Sequence, residues 1–346
     1  MISYSDHPWM SGLFGDPEID VRFSADTELA QYLRIEAAWT RALGAISDDA
    51  KGEEVAKAIE MASIAPVDLK DGFARDGVPI PALVKALRRL VGPDAEHLVH
   101  HGLTSQDVMD TALVLTLTEV LGIVGARLKR LDADLSALTG VHGSAEIMGY
   151  TRMQPALTVA VAEVIARWQQ SIPGLLTQGT AAIDGLAVIQ WGGPVGVREH
   201  SKAKELGAVF ASNLSLSDPG RAWHTDRSRI LSAMNFISQV TVMAGKIGED
   251  LALMSAIGPS QVVLKGGGSS AMPHKVNPVK AEVLITLADR AALLQAASLR
   301  AARHEGLRSG QAWTMEWQTV AEACAVAASS TRLAIDLIAE IESFGA

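Results

Sequence analysis

The chain has one cysteine, few aromatic residues and few prolines, and each shortage excludes a class of protein. The single cysteine, Cys324, excludes a disulfide framework and a cysteine-based zinc site. With 13 prolines and 48% hydrophobic residues among 346, the chain is too apolar to be intrinsically disordered. Aromatic residues make up only 5%. Because sheets favour aromatic and β-branched residues, a chain rich in Ala and Leu predicts helices instead.

Positive charge is also scarce, since 30 basic residues stand against 39 acidic ones and the formal net charge is −9. Binding to nucleic acid or to an anionic membrane surface needs a surplus of Lys and Arg, so we expect neither partner. The N-terminal MISYSDHPWM lacks the basic and apolar runs of a signal peptide. Charged residues also interrupt the most apolar stretch, 231–258, so we expect no membrane span and a soluble, cytoplasmic protein.

Hydrophobic periodicity predicts long helices. Apolar residues recur every three, four or seven positions along 107–139, which is typical of one face of a helix. Similar runs occupy 155–184, 228–256, 277–301 and 312–343. Pro155 and Pro278 stand where proline opens a helix, in the first turn. Such helices favour an all-α bundle in which each apolar stripe is buried against its neighbours.

The first hundred residues differ, because their helical segments are shorter and are separated by prolines and glycines. These segments span 27–46, 49–64 and 80–91. We therefore predict a small helical N-terminal domain over 1–103 and a long-helix bundle domain over 104–346.

Three polar segments interrupt the apolar background. Segment 1 is HHGLTSQD (100–107), segment 2 is GYTRMQP (149–155) and segment 3 is KGGGSSAMPHKVNP (265–278). Each is predicted to place hydroxyls and amides at a helix N-terminus, where free backbone N–H groups favour anions. For segments 1 and 2, ordinary helix capping explains the same residues.

Segment 3 is harder to explain as a connector, because it carries three consecutive glycines followed by two serines and then Lys275 and Asn277. A structural turn needs one or two glycines. A glycine-rich arm that closes over a ligand and delivers a serine is the functional alternative. No dinucleotide fingerprint or cluster with metal-ligand spacing is present, so we expect no cofactor and no metal.

These segments resemble the active-site regions of a known family. GSSAMPHKVNP (268–278) resembles the signature of the fumarase/aspartase superfamily, and HHGLTSQDVMDTA (100–112) and GYTRMQPALT (149–158) resemble its other two regions in the same order. Three further stretches are most similar to the bacterial 3-carboxy-cis,cis-muconate cycloisomerases: QWGGPVG (190–196), WHTDRSRI (223–230) and RHEGLRSGQAWTMEW (303–317). The resemblance implies a homotetramer of long-helix subunits whose sites each draw on three chains.

The resemblance also implies a reaction, the cyclisation of the small tricarboxylate 3-carboxy-cis,cis-muconate to 4-carboxymuconolactone in protocatechuate degradation. Ser269 matches the catalytic serine, and Lys275 and Asn277 would hold the negative charge that develops on a substrate carboxylate. The remaining matched residues would bind substrate: His100, His101, Thr104, Ser105, Thr151, Arg152, Gln154, Arg227, Ser270 and Met272.

The chain departs from the family at two points. Many relatives have a histidine, which helps protonate or orient the leaving group, where this chain has Arg152. Lactonisation run backwards expels a carboxylate with a pKa of roughly 4, which needs no acid, so the absence fits a lactonising enzyme. Arg152 would instead hold a substrate carboxylate. Relatives also carry a third, C-terminal helical domain, whereas this chain stops at Ala346, so we expect no residues from such a domain in the site.

Three alternatives remain open. The chain could be another lyase of the superfamily, such as adenylosuccinate or argininosuccinate lyase, although we identify no basic residues for a nucleotide phosphate. It could be an inactive, structural descendant, against which the intact Ser269, Lys275 and Asn277 argue. The early stop alone motivates the third, a truncated regulatory subunit.

Overall fold

The computed structural model describes residues 7–268, 270–272 and 275–345. The helices in these ranges are α1 Ser11–Phe14, α2 Pro17–Asp20, α3 Ala25–Ser47, α4 Gly52–Glu60, α5 Lys70–Asp76, α6 Ile80–Val91, α7 Ser105–His142, α8 Val161–Gln169, α9 Ile172–Leu186, α10 Ala203–Asn213, α11 Ser228–Ile257, α12 Val279–Ala301 and α13 Gly310–Ala339. The strands are β1 Glu146–Thr151, β2 Gln154–Ala160, β3 Val262–Leu264 and β4 Ile341–Phe344. The predicted all-α, long-helix class is confirmed.

The core is a bundle built around α7, α11 and α13, which run in the same direction. Their first turns lie together, because Arg227 and Trp313 both donate hydrogen bonds to Asp110. We call this the near end of the bundle. Helices α9 and α12 return between them, and their apolar stripes are buried in one continuous core.

The far end of the bundle, where these three helices finish, carries the strands. There β1 and β2 form an antiparallel hairpin, and β3 pairs antiparallel with β4. The side-chain amide of Gln261 donates to the backbone oxygen of Met148 at 3.2 Å, which joins the hairpin to the second strand pair.

The N-terminal helices pack around a separate apolar core beside the near end. Helices α3 and α4 cross so closely that a Cβ added at Gly44 would lie 2.5 Å from the Cα of Gly52, which only a glycine allows. Leu206 and Phe210 of α10 also belong to this core. The predicted domain boundary between residues 103 and 104 remains a prediction.

The structure corrects the prediction of one helix over 155–184. Pro155 does not open a helix; it lies in β2, opposite Tyr150 of β1. Pro155 has no N–H to donate, and in a two-stranded hairpin β2 can direct that position to solvent. The rest of the run is divided into α8 and α9, and the run over 312–343 ends as a helix at Ala339 before β4 begins.

Two helices, α7 and α11, are long and apolar enough to cross a membrane by length and composition alone. In the most apolar window of each, 56% and 61% of the residues are buried inside the fold. Core helices of soluble proteins pass the same test, so these two helices are weak evidence for a membrane span.

Candidate active site

Segment 1 is held by a buried carboxylate at the start of α7. Asp107 Oδ2 accepts hydrogen bonds from the backbone N–H groups of Thr104 at 3.0 Å and Gly193 at 2.9 Å. Its Oδ1 lies 2.7 Å from His224 Nε2. Burial raises the pKa of Asp107 above its ordinary value, while His224 and the two N–H groups oppose that rise. The predicted helix cap is therefore present, and it is extended by a histidine from a distant part of the chain.

A second buried cluster lies behind this cap. Arg227 pairs with Asp110 through Nη1 at 2.7 Å and with Glu316 through Nε at 2.9 Å, and it is 2% exposed. Burial alone would lower the pKa of Arg227, but the two carboxylates outweigh it and raise that pKa. Arg227 was expected to bind substrate. In the structure its donors are engaged inside the protein, where they join the near ends of α7, α11 and α13, and substrate binding by Arg227 remains a prediction.

Side chains from three other parts of the chain hold the backbone of segment 1 and of Val99 just before it. Arg88 Nη2 donates to Val99 O at 3.3 Å, Trp39 Nε1 to His101 O at 2.9 Å and Trp191 Nε1 to Gly102 O at 3.3 Å. Four residues of the segment differ in exposure: His101 is exposed, His100 and Ser105 are partly exposed, and Thr104 is buried. The loop is thus fixed before any ligand binds.

The positively charged guanidinium of Arg308 lies against segment 1. Its Nη1 donates to Thr104 Oγ1 at 2.7 Å, and its Nη2 donates to Pro194 O at 2.9 Å. The helix N-terminus at Thr104 and the Arg308 guanidinium both favour a bound anion.

The sequence predicts that segment 2 lies at the start of a helix. In the structure it instead forms the tip of the β1–β2 hairpin at the far end. Thr151 pairs with Gln154, which leaves Arg152 and Met153 as a two-residue loop with φ angles of 50° and 65°. Positive φ at both loop positions is the type I′ arrangement, for which Asn and Gly are favoured. All four side chains are exposed.

Segment 3 is closed at its base by a backbone bridge. Gly267 N donates to Asn277 O at 2.9 Å, and Asn277 N donates to Gly267 O at 2.8 Å. Ser270, Met272 and Lys275 are exposed within the loop, and Asn277 is partly exposed. Ser269, the predicted catalytic serine, lies outside the described residues, as do Pro273 and His274.

The chain does not bring its three segments together. Segment 1 lies at the near end and segments 2 and 3 at the far end, with the 38-residue α7 between segments 1 and 2. At 1.5 Å per residue, such a helix is about 57 Å long. No small molecule bridges that distance, so one chain alone cannot form a site from all three segments.

Asp107, His224 and Glu316 lie inside the stretches 100–112, 223–230 and 303–317, but the sequence alone does not single them out as parts of this region. In the two buried clusters, His224 is 117 positions from Asp107 and Trp313 is 203 positions from Asp110, so no local pattern reveals these contacts. Among residues 7–268, 270–272 and 275–345, no group of three or more His, Cys, Asp or Glu side chains could hold a metal ion.

A bundle of long helices with polar segments held at opposite ends defines a class, the long-helix all-α proteins. A family model described as Lyase matches residues 21–293. The chain therefore belongs to this lyase family, the fumarase/aspartase superfamily, as its three segments predict.

Individual relatives agree with this membership. The chain is 34% identical over 290 residues to a 3-carboxy-cis,cis-muconate cycloisomerase of Pseudomonas aeruginosa, covering 80% of this chain and 62% of that protein. It is 30% identical to a nitrosuccinate lyase of Streptomyces davaonensis, covering 75% of this chain and 58% of the relative. The crystal structure of the 3-carboxy-cis,cis-muconate lactonizing enzyme of Pseudomonas putida superposes with a TM-score of 0.90 at 30% identity, over 97% of this chain and 77% of that one. The chain thus spans less than two thirds of the length of these two curated relatives.

Proposed function

We propose that the protein is a cycloisomerase that lactonises 3-carboxy-cis,cis-muconate to 4-carboxymuconolactone. The observation that carries the proposal is Arg152 in the hairpin loop, at φ 50°. A non-glycine residue in the left-handed region costs roughly 1–2 kcal/mol, and asparagine would fit the turn better. Such strain points to selection for the side chain rather than for the turn.

The chemistry of the leaving group supports this reaction over an elimination. Superfamily lyases that expel an amine or hydroxide need a proton for the leaving group. The carboxylate that lactonisation expels in reverse needs none, so an arginine can take the position. Arg152 forms no ion pair with a described residue, and its planar fork suits a carboxylate of the tricarboxylate substrate.

In this proposal, one substrate carboxylate oxygen bonds to a carbon of the conjugated double bond, and the electron pair moves onto a second carboxylate to form an aci-carboxylate. Ser269 then gives its proton to the adjacent carbon, which completes the lactone. Lys275 and Asn277 hold the charge of the aci-carboxylate, and Thr104, Ser105, Thr151 and Gln154 donate hydrogen bonds to the substrate. His101, Ser270 and Met272 would line the rest of the substrate site.

We also propose a homotetramer, because only neighbouring copies can supply the segments that one chain holds apart. Large apolar residues are exposed on two of the bundle helices: Val242 and Leu253 on α11, and Leu293 and Leu299 on α12. Burying such residues between copies is favourable and is typical of obligate oligomers. The buried share of α7 and α11 and the named bacterial relatives support a soluble enzyme of the cytoplasm.

The decisive experiment follows the ultraviolet absorbance of the substrate, since lactonisation destroys its conjugated diene. We expect the absorbance to fall on adding the protein, and Ser269→Ala to slow it by ~10²–10⁴-fold with an unchanged circular dichroism spectrum. Fumarate release from nitrosuccinate or argininosuccinate, with a stable carboxymuconate signal, would instead identify an eliminating lyase. A Ser269→Ala rate equal to wild type would move the acid role to another residue.

A further inference from the structure

A buried carboxylate of the N-terminal helices meets segment 1. Glu36 lies on α3 and is 0% exposed, and its Oε1 is 2.5 Å from His100 Nδ1. Its Oε2 is buried and has no hydrogen-bond partner among the described residues. A buried carboxylate with a free oxygen is costly unless a cation compensates it, and His100 is the side chain in contact.

The backbone at His100 is shaped to make this contact. His100 has a φ angle of 60°, which is uncommon for a residue with a side chain. The carbonyl groups of Val99, His101 and Gly102 are held by Arg88, Trp39 and Trp191, so the strained conformation is imposed from both sides. Strain that the surroundings maintain in this way is common at ligand sites.

The contact fixes the orientation of the imidazole ring. An ionised carboxylate only accepts hydrogen bonds, so Nδ1 of His100 must carry a proton towards Glu36. The other ring nitrogen, Nε2, has no hydrogen-bond partner among the described residues and is not fully buried. It is therefore the nitrogen that a ligand can reach, in the segment that also carries Thr104 and Ser105.

Three charged groups act on the ring. Burial is the largest influence and lowers the pKa of His100, and Arg88 of α6 acts in the same direction. Glu36 of α3, through its charge and its hydrogen bond, and Asp107 of α7 raise that pKa and outweigh both. The cationic ring, with a proton on each nitrogen, is therefore favoured towards neutral pH.

We propose that Glu36 is a positioning residue of the active site, which holds His100 so that its Nε2–H binds a carboxylate of the substrate. The identity of the substrate rests on the proposed function, whereas the ligand chemistry, a polycarboxylate, does not. Glu36 never touches the ligand; it acts by fixing the orientation and charge of His100.

The test uses tricarballylate, a saturated tricarboxylate that cannot react, and measures its binding to the intact protein by calorimetry as a function of pH. Wild-type binding should weaken as the pH rises through the pKa of His100, because the ring loses its charge. In Glu36→Gln the larger of the two influences that raise the pKa of His100 is gone, so the weakening should begin at lower pH and reach about tenfold at neutral pH. Glu36→Asp should recover part of this loss, and His100→Gln should remove this pH dependence.

A matched control is available in the exposed pair of His97 and Asp49, whose side chains lie 3.0 Å apart. Asp49→Asn removes a carboxylate from a histidine in the same way, and it should leave tricarballylate binding unchanged. The imidazole signal that His100→Gln removes from the NMR spectrum should titrate at lower pH in Glu36→Gln.

The outcomes separate this proposal from the proposed function. Equal pH profiles for wild type and Glu36→Gln, or no binding of tricarballylate at any pH, would overturn the role of Glu36. If Glu36→Gln does not fold, a His100→Gln profile identical to wild type is equally decisive against it. A shifted profile without any lactonisation would support the Glu36–His100 pair and overturn only the cycloisomerase assignment.

Discussion

Arg152 stands at the tip of the hairpin in a conformation that its own chemistry does not favour. Its neighbour Met153 has a positive φ as well, so neither loop residue is the Asn or Gly that this turn prefers. The strained backbone conformation at Arg152 is explained if its guanidinium must reach a site on another chain. A hairpin held at the far end by Gln261 can present it there.

We expect Arg152→Gln to raise KM for carboxymuconate with a smaller effect on kcat, because a carboxylate contact of this kind is equal in ground and transition states. Loss of a charged hydrogen bond costs roughly 1.5–3 kcal/mol, or about ten- to a hundredfold in kcat/KM. Steady-state kinetics measure this. Arg130→Gln, which removes an exposed helical arginine paired with Asp134, is the control and should leave both constants unchanged. An unchanged KM in Arg152→Gln would show that the guanidinium points away from the substrate.

At the scale of elements, the near ends of α7, α11 and α13 are joined by buried charge rather than by apolar packing alone. Asp110, Arg227 and Glu316 each come from one of these ends, and Trp313 adds a hydrogen bond to Asp110 at 3.1 Å. Asp107, in the first turn of α7, attaches segment 1 to this end of the bundle by accepting a hydrogen bond from the backbone of Thr104. The cluster therefore determines where the first turn of α7, and with it Thr104, is placed.

We expect Arg227→Met to destabilise the fold by about 3–5 kcal/mol, because it leaves two buried carboxylates uncompensated. The loss in the free energy of unfolding should become smaller as the pH falls, because the two carboxylates then take up protons. Urea unfolding at several pH values measures it. Arg41→Met, which breaks two ion pairs, with the exposed Glu53 and Glu60, should cost no more than about 1 kcal/mol. Equal losses in the two variants would contradict the importance of the buried cluster.

Sequence pattern alone predicts the helices whose stripes face one core. The segments expected over 80–91 and 228–256 are α6 and α11 almost to the residue, because proline, glycine and unbroken periodicity mark their limits. The hairpin escaped prediction because Arg152 and Met153 carry none of the usual turn signals and Pro155 also fits a helix start. The Asp107–His224 contact escaped it because the contact exists only after α7 and α11 pack together.

At the scale of the whole molecule, the chemistry proposed needs only groups that the chain itself supplies. We therefore expect full lactonising activity after dialysis against EDTA, measured by the same loss of diene absorbance. Serine, lysine and asparagine can stabilise and protonate the aci-carboxylate without a Lewis acid. Activity that is lost on dialysis and restored by a divalent ion would contradict this.

The separation of the segments along α7 leads to a prediction about mixtures of inactive variants. Thr104→Val alters segment 1 and Ser269→Ala alters segment 3, and each should be inactive alone. If each site takes these segments from different chains of a tetramer, refolding the two variants together in equal amounts should restore about a quarter of the wild-type sites. The reason is that each segment is intact in half of the chains.

Ser269→Ala mixed with Lys275→Ala is the matched control. Both changes lie in segment 3, so no site regains an intact copy of that segment and no activity should return. Light scattering should give four times the chain mass of 36.5 kDa for the active mixture. A fully active monomer, or equal recovery in both mixtures, would contradict a site shared between chains.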